Sequence, residues 1–334
     1  MVGRELTALL ESRRFPVGEL RPFSSGRSAS YVRFKGRRMP APGATSATLT
    51  SCDLVFLVSS DEVALSLAPA LAALGVWTID DSAAFRLNPK VPLIIPEVNS
   101  ATMTNSRRLI ASPNCTMTGL AVAGAVLHRE IGVREVRLAS YQAVSGAGKA
   151  ALTELLAQQM GLSKLAPTAD GRAPVLAAGT STVLPRAIAF NAIPQVGRFR
   201  SDGYSSEEAK VAAELRKIWS APRLKISATA VRVPTIRGHA LAAWLTLARP
   251  ITLSRARALL RRTPGLILSR EGDYSTPRST GGQEAVFAGR VRLGAVPREI
   301  ALWVTSDNLL KGAALNSVQI AEELWRRGWL KSRG

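Results

Sequence analysis

The chain has 334 residues, 46% hydrophobic and 20% charged, which excludes a disordered polymer, a collagen-like repeat and a small disulfide scaffold. Its length suggests about two domains, and no apolar run reaches the roughly 18 residues that span a bilayer. Lys and Arg number 44 against 24 Asp and Glu, a net charge of +20, but the arginines fall in scattered pairs such as Arg13–Arg14, Arg107–Arg108 and Arg326–Arg327. With aromatic residues at only 5%, a solvated basic surface with weak attraction to polyanions is expected, not specific nucleic-acid recognition.

From the N-terminus, Val2 to Leu10 has the spacing of an amphipathic helix that stops before Pro16. The same opening carries acidic residues and no apolar core of the kind a signal peptide needs. Asp53 to Val58 is a short continuous apolar run, as in a strand buried on both faces. A helix rich in Ala and Leu follows from about Glu62 to Leu74, closed by Gly75. Val76 to Ile79 and Leu93 to Ile95 read as further short strands, giving the rhythm of a parallel sheet with crossover helices. After Pro113, Asn114 and Cys115 open a helix to about Glu130, followed by a strand from Val133 to Val144 and a glycine-rich turn, Ser145 to Gly148. A loop from about Pro167 to Thr182 precedes an expected strand around Ala187 to Ile193. Ser205 to Trp219 is a helix with a capping box, Ser205 and Glu208. Alternating strands at Lys225 to Val233, His239 to Ala248 and Ile300 to Thr305 indicate an α+β second domain, and an amphipathic helix from Gly312 to about Arg327 returns to the first.

Two cysteines, Cys52 and Cys115, cannot form a framework of bridges and fit a reducing, cytoplasmic setting. Cys52 lies beside a buried strand and reads as packing. Cys115 sits at a helix start, where orphan N–H groups and the helix dipole favour a thiolate. Of the two histidines, His128 ends an ordinary helix, whereas His239 begins a strand just after Gly238, where a side chain can face a cleft. Glu207 and Lys210, three apart on one helix, can face one pocket, or form a nearly neutral surface salt bridge.

Around these residues several motifs stand in order: IIPEVN (Ile94 to Asn99), SPNCT (Ser112 to Thr116), SYQAVSGAG (Ser140 to Gly148), EEAK (Glu207 to Lys210), VRVPTIRGH (Val231 to His239) and DNLLKGAALNSVQIAE (Asp307 to Glu322). Collinear over essentially the whole chain, they resemble the aspartate-semialdehyde dehydrogenase family. Glyceraldehyde-phosphate dehydrogenases, which carry a second cysteine close after the nucleophile, fit less well. The resemblance implies an α/β fold with a Rossmann-like dinucleotide-binding domain (1–114 with 311–334) and an α+β catalytic and dimerisation domain (115–310). It implies NADPH-dependent reductive dephosphorylation of L-aspartyl 4-phosphate to L-aspartate 4-semialdehyde, on the branch to lysine, threonine and methionine, by a homodimer joined through the second domain's sheet. Cys115 would form a thioester, His239 would act as general acid and base titrating near neutrality, and Gln142 would orient the thiol and the reacting carbonyl. Arg232 matches the partner of the substrate carboxylate and Glu207 that of its amino group; Arg86 and Lys210 match the phosphate pair, with Asn114 close by. Gly3, Arg27, Ser28, Gly146, Gly148 and Asn316 match cofactor positions, and no metal is implied.

The chain departs from the family in two places. The family's turn reads G-A-T-G-x-V-G, and Met1-Val2-Gly3 matches only its last three positions, without the first strand and glycines. An upstream start is expected, because losing a central strand would leave backbone groups on its neighbours unpaired. Ser24 to Ser28 carry no acidic residue to hold a ribose hydroxyl, so with Arg27 and Ser28 the extra phosphate of NADP is preferred. At Ser59, Ser60 and Asp61 the family has a small Ala-Gly-Gly loop, and Asp61 would be unhelpful near a pyrophosphate. Both departures favour an alternative, a non-catalytic homologue with impaired cofactor binding; the intact Cys115, Gln142, Arg232 and His239 set opposes it.

Overall fold

The computed structural model describes residues 1–24, 30–162 and 171–330. Arg27, Ser28 and the beginning of the loop expected from Pro167 lie outside the described residues. In chain order the first elements are α1 (Val2–Ser12), β1 (Tyr31–Phe34), β2 (Arg37–Pro40), α2 (Ser46–Leu49), β3 (Leu54–Leu57), α3 (Asp61–Ala73), β4 (Trp77–Asp80), α4 (Pro96–Asn99) and β5 (Leu109–Ala111). Next come α5 (Cys115–Ile131), β6 (Val133–Gln142), α6 (Lys149–Gly161), α7 (Ser206–Ile218), β7 (Lys225–Arg232), β8 (His239–Leu247) and α8 (Leu253–Arg261). The chain ends with β9 (Leu266–Leu268), α9 (Pro277–Thr280), β10 (Val286–Leu293), β11 (Glu299–Ser306), a π-helical turn (Leu310–Ala314) and α10 (Leu315–Arg326).

Two main sheets organise these elements. The smaller is parallel, in the order β3-β4-β5, and its strands carry the apolar runs that sequence marks as buried. The larger has the order β7-β6-β8-β11-β10-β9, with β6 parallel to β7 and antiparallel to β8. Helix α5 starts three residues after β5 and lies against the larger sheet, so its first residue stands where the two sheets meet. Two glycines let α5 pack closely: a Cβ at Gly119 would stand 3.0 Å from Ser306 Oγ on the sheet, and one at Gly124 would stand 2.7 Å from the ring of Trp219, which caps α7. The capping box of α7 is formed, and Glu208 Oε1 also accepts from Ala230 N–H (2.8 Å), which fastens this helix to β7. Helix α10 returns to the first part of the chain: Ile320, Ala321 and Leu324 pack with Trp77 and Ile79, and Leu315 and Val318 pack with Leu6, Leu9 and Leu10.

Several local expectations need correction. Leu93 to Ile95, bracketed by Pro92 and Pro96, forms only a single bridge from Leu93 to Ala111; the strand that pairs with β4 is β5. Ala187 to Ile193 is irregular, with Phe190 at φ +54°, and only Ile193 bridges to Arg232. The strand from Val133 ends at Gln142, and Val144 to Ala147 form a 3-10 turn. The final helix starts at Leu315, after the π turn. Sequence reading passed over the β1–β2 hairpin, α6, α8, β9 and β10. Among the described residues no helix is long and apolar enough to cross a membrane.

Candidate active site

Cys115 is the first residue of α5, and Asn114 caps that helix by accepting from Thr116 N–H at 2.7 Å. Across the sheet junction, Cys115 Sγ lies 3.5 Å from Nε2 of His239, the buried first residue of β8. His239 Nδ1 accepts a hydrogen bond from Ala143 N–H (3.1 Å). An amide N–H can only donate, so Nδ1 keeps its lone pair and the neutral ring carries its proton on Nε2, toward the sulfur. Burial first, then the positive charge of Arg232, push His239 down to about 3, which corrects the expectation of titration near neutrality. The expected thiolate is corrected as well. Cys115 is only partly buried, but desolvation of its sulfur, with the Glu207 carboxylate adding to it, pushes it up to about 11 against the opposing pull of Arg86 and Arg232. The helix mouth is present; desolvation outweighs it.

Charged side chains surround the pair. Buried Arg232, at the end of β7, donates from NH1 to the Ala143 carbonyl (2.9 Å). Gly146 keeps room beside it, since a Cβ there would stand 3.0 Å from Arg232 NH1 and 3.3 Å from His239 Nε2. From α7, Glu207 Oε1 accepts from Asn114 Nδ2 (3.0 Å) and Thr116 Oγ1 (2.8 Å), the residues on either side of Cys115. Among the described residues nothing bonds its Oε2. Lys210, one turn on, makes no ion pair among them. Arg86 is buried and engaged at all three nitrogens: Nε donates to Ser112 O (2.9 Å), NH2 to Asp81 O (2.7 Å), and NH1 meets Glu214 (3.3 Å). Gln142, buried at the end of β6, donates from Nε2 to Ser140 Oγ (3.2 Å) and makes no bond to Cys115.

On the side of the N-terminal helix, Gly3 lies in the first turn of α1, where an added Cβ would meet nothing within 4 Å, and Gly148 takes φ +94°. Buried Asn316 donates to Ile94 O (2.9 Å) and Ser112 Oγ (3.2 Å) and accepts from Lys311 Nζ (3.1 Å). Lys311, 1% exposed, also donates to Glu97 and Gln319, both at 2.6 Å. Its neighbour Gly312 packs directly on the nucleophile, where a Cβ would stand 2.7 Å from Cys115 Cβ. Asn308 accepts from Gly238 N–H (2.9 Å) and donates to Ser145 Oγ (3.0 Å), tying the loop before His239 to the glycine turn. Exposed Asp61 accepts from Ala83 N–H (2.8 Å).

Residues 1–106 match the family model for the semialdehyde dehydrogenase NAD binding domain, and residues 125–311 that for the semialdehyde dehydrogenase dimerisation domain. The aspartate-semialdehyde dehydrogenase of Synechocystis is 36% identical over 334 residues, covering 98% of this chain and 96% of that protein. The Rickettsia conorii protein of the same name is 38% identical, covering 97% and 94%. The chain belongs to the aspartate-semialdehyde dehydrogenase family. Aspartate semialdehyde dehydrogenase II from Vibrio cholerae superposes with a TM-score of 0.89 at 35% identity, covering 97% of this chain and 95% of that one. The same protein complexed with ASA gives 0.88 at 34% identity. The two-part α/β architecture expected from sequence is the one this family has, including its NAD-binding and dimerisation domains.

Family membership accounts for the motifs, and the structure adds residues that sequence reading left without a role. Glu214 Oε2 accepts from the backbone N–H of Asn114 (2.7 Å), directly before the nucleophile. It lies seven residues after Glu207 on the same α7 face, and that helical spacing was the available signal. Glu97, Lys311 and Asn308 stand inside the IIPEVN and DNLLKGAALN segments, whose likeness marked the segments but not these side chains.

Proposed function

We propose that this member of the aspartate-semialdehyde dehydrogenase family carries out the NADPH-dependent reductive dephosphorylation of L-aspartyl 4-phosphate to L-aspartate 4-semialdehyde. The observation that carries the proposal is the Cys115–His239 pair at 3.5 Å, set between the guanidinium of Arg232 and the carboxylate of Glu207. A cation and an anion on either side of a nucleophile suit the carboxylate and ammonium of an α-amino acid. They give the catalytic reading more support than a non-catalytic homologue would need.

Cys115 sulfur attacks the acyl carbon, the bond from that carbon to the phosphate oxygen breaks, and the thiol proton leaves with the departing phosphate. Nε2–H of His239 faces the reacting centre and donates to the oxygen that gains negative charge. Lys210, without an ion-pair partner among the described residues, is free to meet the phosphate. Arg86 holds Ser112 O and Glu214 and so braces the start of α5 behind it. Gln142 closes the pocket from the end of β6. When the acyl group has been reduced, Cys115 leaves as the thiolate and takes a new proton from water, its first having departed with the phosphate.

Two features suit a nicotinamide dinucleotide: the open first turn of α1 at Gly3, and the exposed backbone at Gly146, which a side chain would block. Gly3, Gly146, Gly148 and Asn316 would hold the cofactor, which supplies the hydride. Arg27 and Ser28, with no carboxylate between Ser24 and Ser28, support NADP over NAD. We assign cofactor binding to residues 1–114 with 311–334, and catalysis and dimerisation to 115–310. The sheet face opposite α5 carries Tyr141, Trp244 and Trp303, with the Tyr141 ring 5.5 Å from Trp303 and 36% exposed, an aromatic surface suited to a homodimer contact. The absence of a disulfide between Cys52 and Cys115 suits the cytoplasm.

Reduction of NADP by L-aspartate 4-semialdehyde tests the proposal. Turnover that requires inorganic phosphate or arsenate is expected; folded protein with no such activity would overturn it.

A further inference from the structure

The nucleophile is partly buried, and charged side chains come from every element packed around it. Glu207, Lys210 and Glu214 come from α7, Arg232 from β7, His239 from β8, Arg86 from the loop after β4, and Lys311 from the π turn whose Gly312 touches Cys115. Most of these are already balanced. Arg86 meets Glu214, Lys311 meets Glu97, and the His239 ring is neutral because Ala143 N–H occupies Nδ1. Lys210 has no ion pair among the described residues and stands ready for a phosphate; the two unbalanced charges that act on the sulfur itself are Arg232 and Glu207.

Their positions are not equivalent. Glu207 is bonded through one oxygen to both neighbours of the nucleophile, Asn114 and Thr116, and its second oxygen has no partner among the described residues. Arg232 is anchored to Ala143 O, on the residue whose N–H meets His239 Nδ1, and its NH1 lies near the Gly146 backbone beside the His239 Nε2 edge. Its charge acts on the sulfur less strongly than that of Glu207.

We propose that Glu207 couples recognition of the substrate's α-ammonium group to ionisation of Cys115. In the free protein desolvation first, and the carboxylate after it, hold the nucleophile in its thiol form; once an ammonium pairs with the free oxygen, the second of these restraints is lifted and the thiolate fraction rises. The inference rests on the amino-acid acyl phosphate reading above and adds specificity to it. A ligand with a carboxylate but no ammonium neutralises Arg232 alone, so it holds the thiol more firmly protonated. The amino group thus acts on the reacting atom as well as on affinity, and a deaminated acyl phosphate loses kcat in addition to KM.

The test is an equilibrium titration of the thiolate absorbance, read as the full-length protein minus Cys115→Ser, alone and with saturating L-2-aminobutyrate or butyrate. Neither probe has a group that can react with sulfur. The expected result is a lower midpoint with L-2-aminobutyrate and an unchanged or higher one with butyrate. In Glu207→Gln the ligand-free midpoint falls by about one unit, a tenfold gain in thiolate at fixed pH, and L-2-aminobutyrate no longer shifts it. Equal responses to the two probes, or no response to either in the wild-type protein, would overturn the proposal without any variant. So would a Glu207→Gln midpoint equal to the wild-type value. Because no turnover is measured, an active enzyme that fails this titration refutes the coupling and leaves the catalytic assignment standing.

Discussion

Replacing Gly312 by alanine places a methyl carbon 2.7 Å from Cys115 Cβ, 3.0 Å from its Cα and 3.3 Å from its carbonyl oxygen. Carbon atoms pack without strain at about 3.5–4.0 Å, so the two backbones must separate by roughly 1 Å. Neither side yields easily. Gly312 N–H is tied to Asp307 O (3.0 Å) and its neighbour Lys311 is held by three side chains. Cys115 begins α5, whose cap residue Asn114 is held by Glu207 and Glu214. Overpacking of this kind costs about 1–3 kcal/mol of stability, and moving a nucleophile by about 1 Å costs on the order of 100-fold in rate. In phosphate-dependent NADP reduction, kcat/KM of Gly312→Ala should fall by about that factor, with only a modest loss in urea unfolding. Gly161→Ala is the control: nothing lies within 4 Å of the added carbon, and activity should be unchanged. A folded Gly312→Ala enzyme with wild-type kcat/KM would refute the claim that the π turn sets the position of the sulfur.

Three further outcomes follow from buried charge. His239 stays neutral in the folded protein down to about 3, whereas an unfolded histidine takes a proton near 6.5, so stability is lost as pH falls between those values. His239→Gln should therefore show a shallower loss of unfolding free energy between pH 6 and 4, smaller by about one proton's slope, and the kcat/KM profile of the wild-type enzyme should show no limb due to His239 near pH 6.5. Asp81, bonded to Ser317 Oγ (2.5 Å) with Oδ2 shut away unpaired, is pushed up to about 6 by burial. The folded carboxyl holds its proton after the unfolded one has lost it, so wild-type stability drops as pH rises from about 4 to 6. Asp81→Asn escapes that loss and should be more stable at pH 7, by up to ~3 kcal/mol, with the gap closing at pH 4 in urea melts. Lys311→Met leaves Glu97 enclosed without its cation and should cost about 3–5 kcal/mol; adding Glu97→Gln should restore part of it, as a double-mutant cycle will show.

The parts of this fold legible in sequence are those set by local rules. The capping box at Ser205 and Glu208, the helix opening at Asn114 and the alternation in β6, β7 and β8 all specify their elements within a few residues. Where partners from elsewhere decide, sequence misled. Leu93 to Ile95 is more apolar than Leu109 to Ala111, yet its flanking prolines cannot pair and the second segment, preceded by two arginines, became the strand. The site shows the same division. Family likeness marked Cys115, His239, Arg232 and Glu207, and the fold gathers them around one sulfur. Their protonation states were not legible, because β8 and the π turn pack against Cys115 from far along the chain, and the orientation of His239 comes from one backbone N–H after β6.

The most direct test of catalysis by Cys115 is intact and peptide mass spectrometry after mixing enzyme with L-aspartate 4-semialdehyde and NADP in phosphate-free buffer. In this reverse direction a stoichiometric burst of NADPH and an aspartyl thioester on the Cys115 peptide are expected, both discharged when phosphate is added. Steady phosphate-dependent turnover with no adduct on Cys115, or with the acyl group on Cys52, would contradict the mechanism.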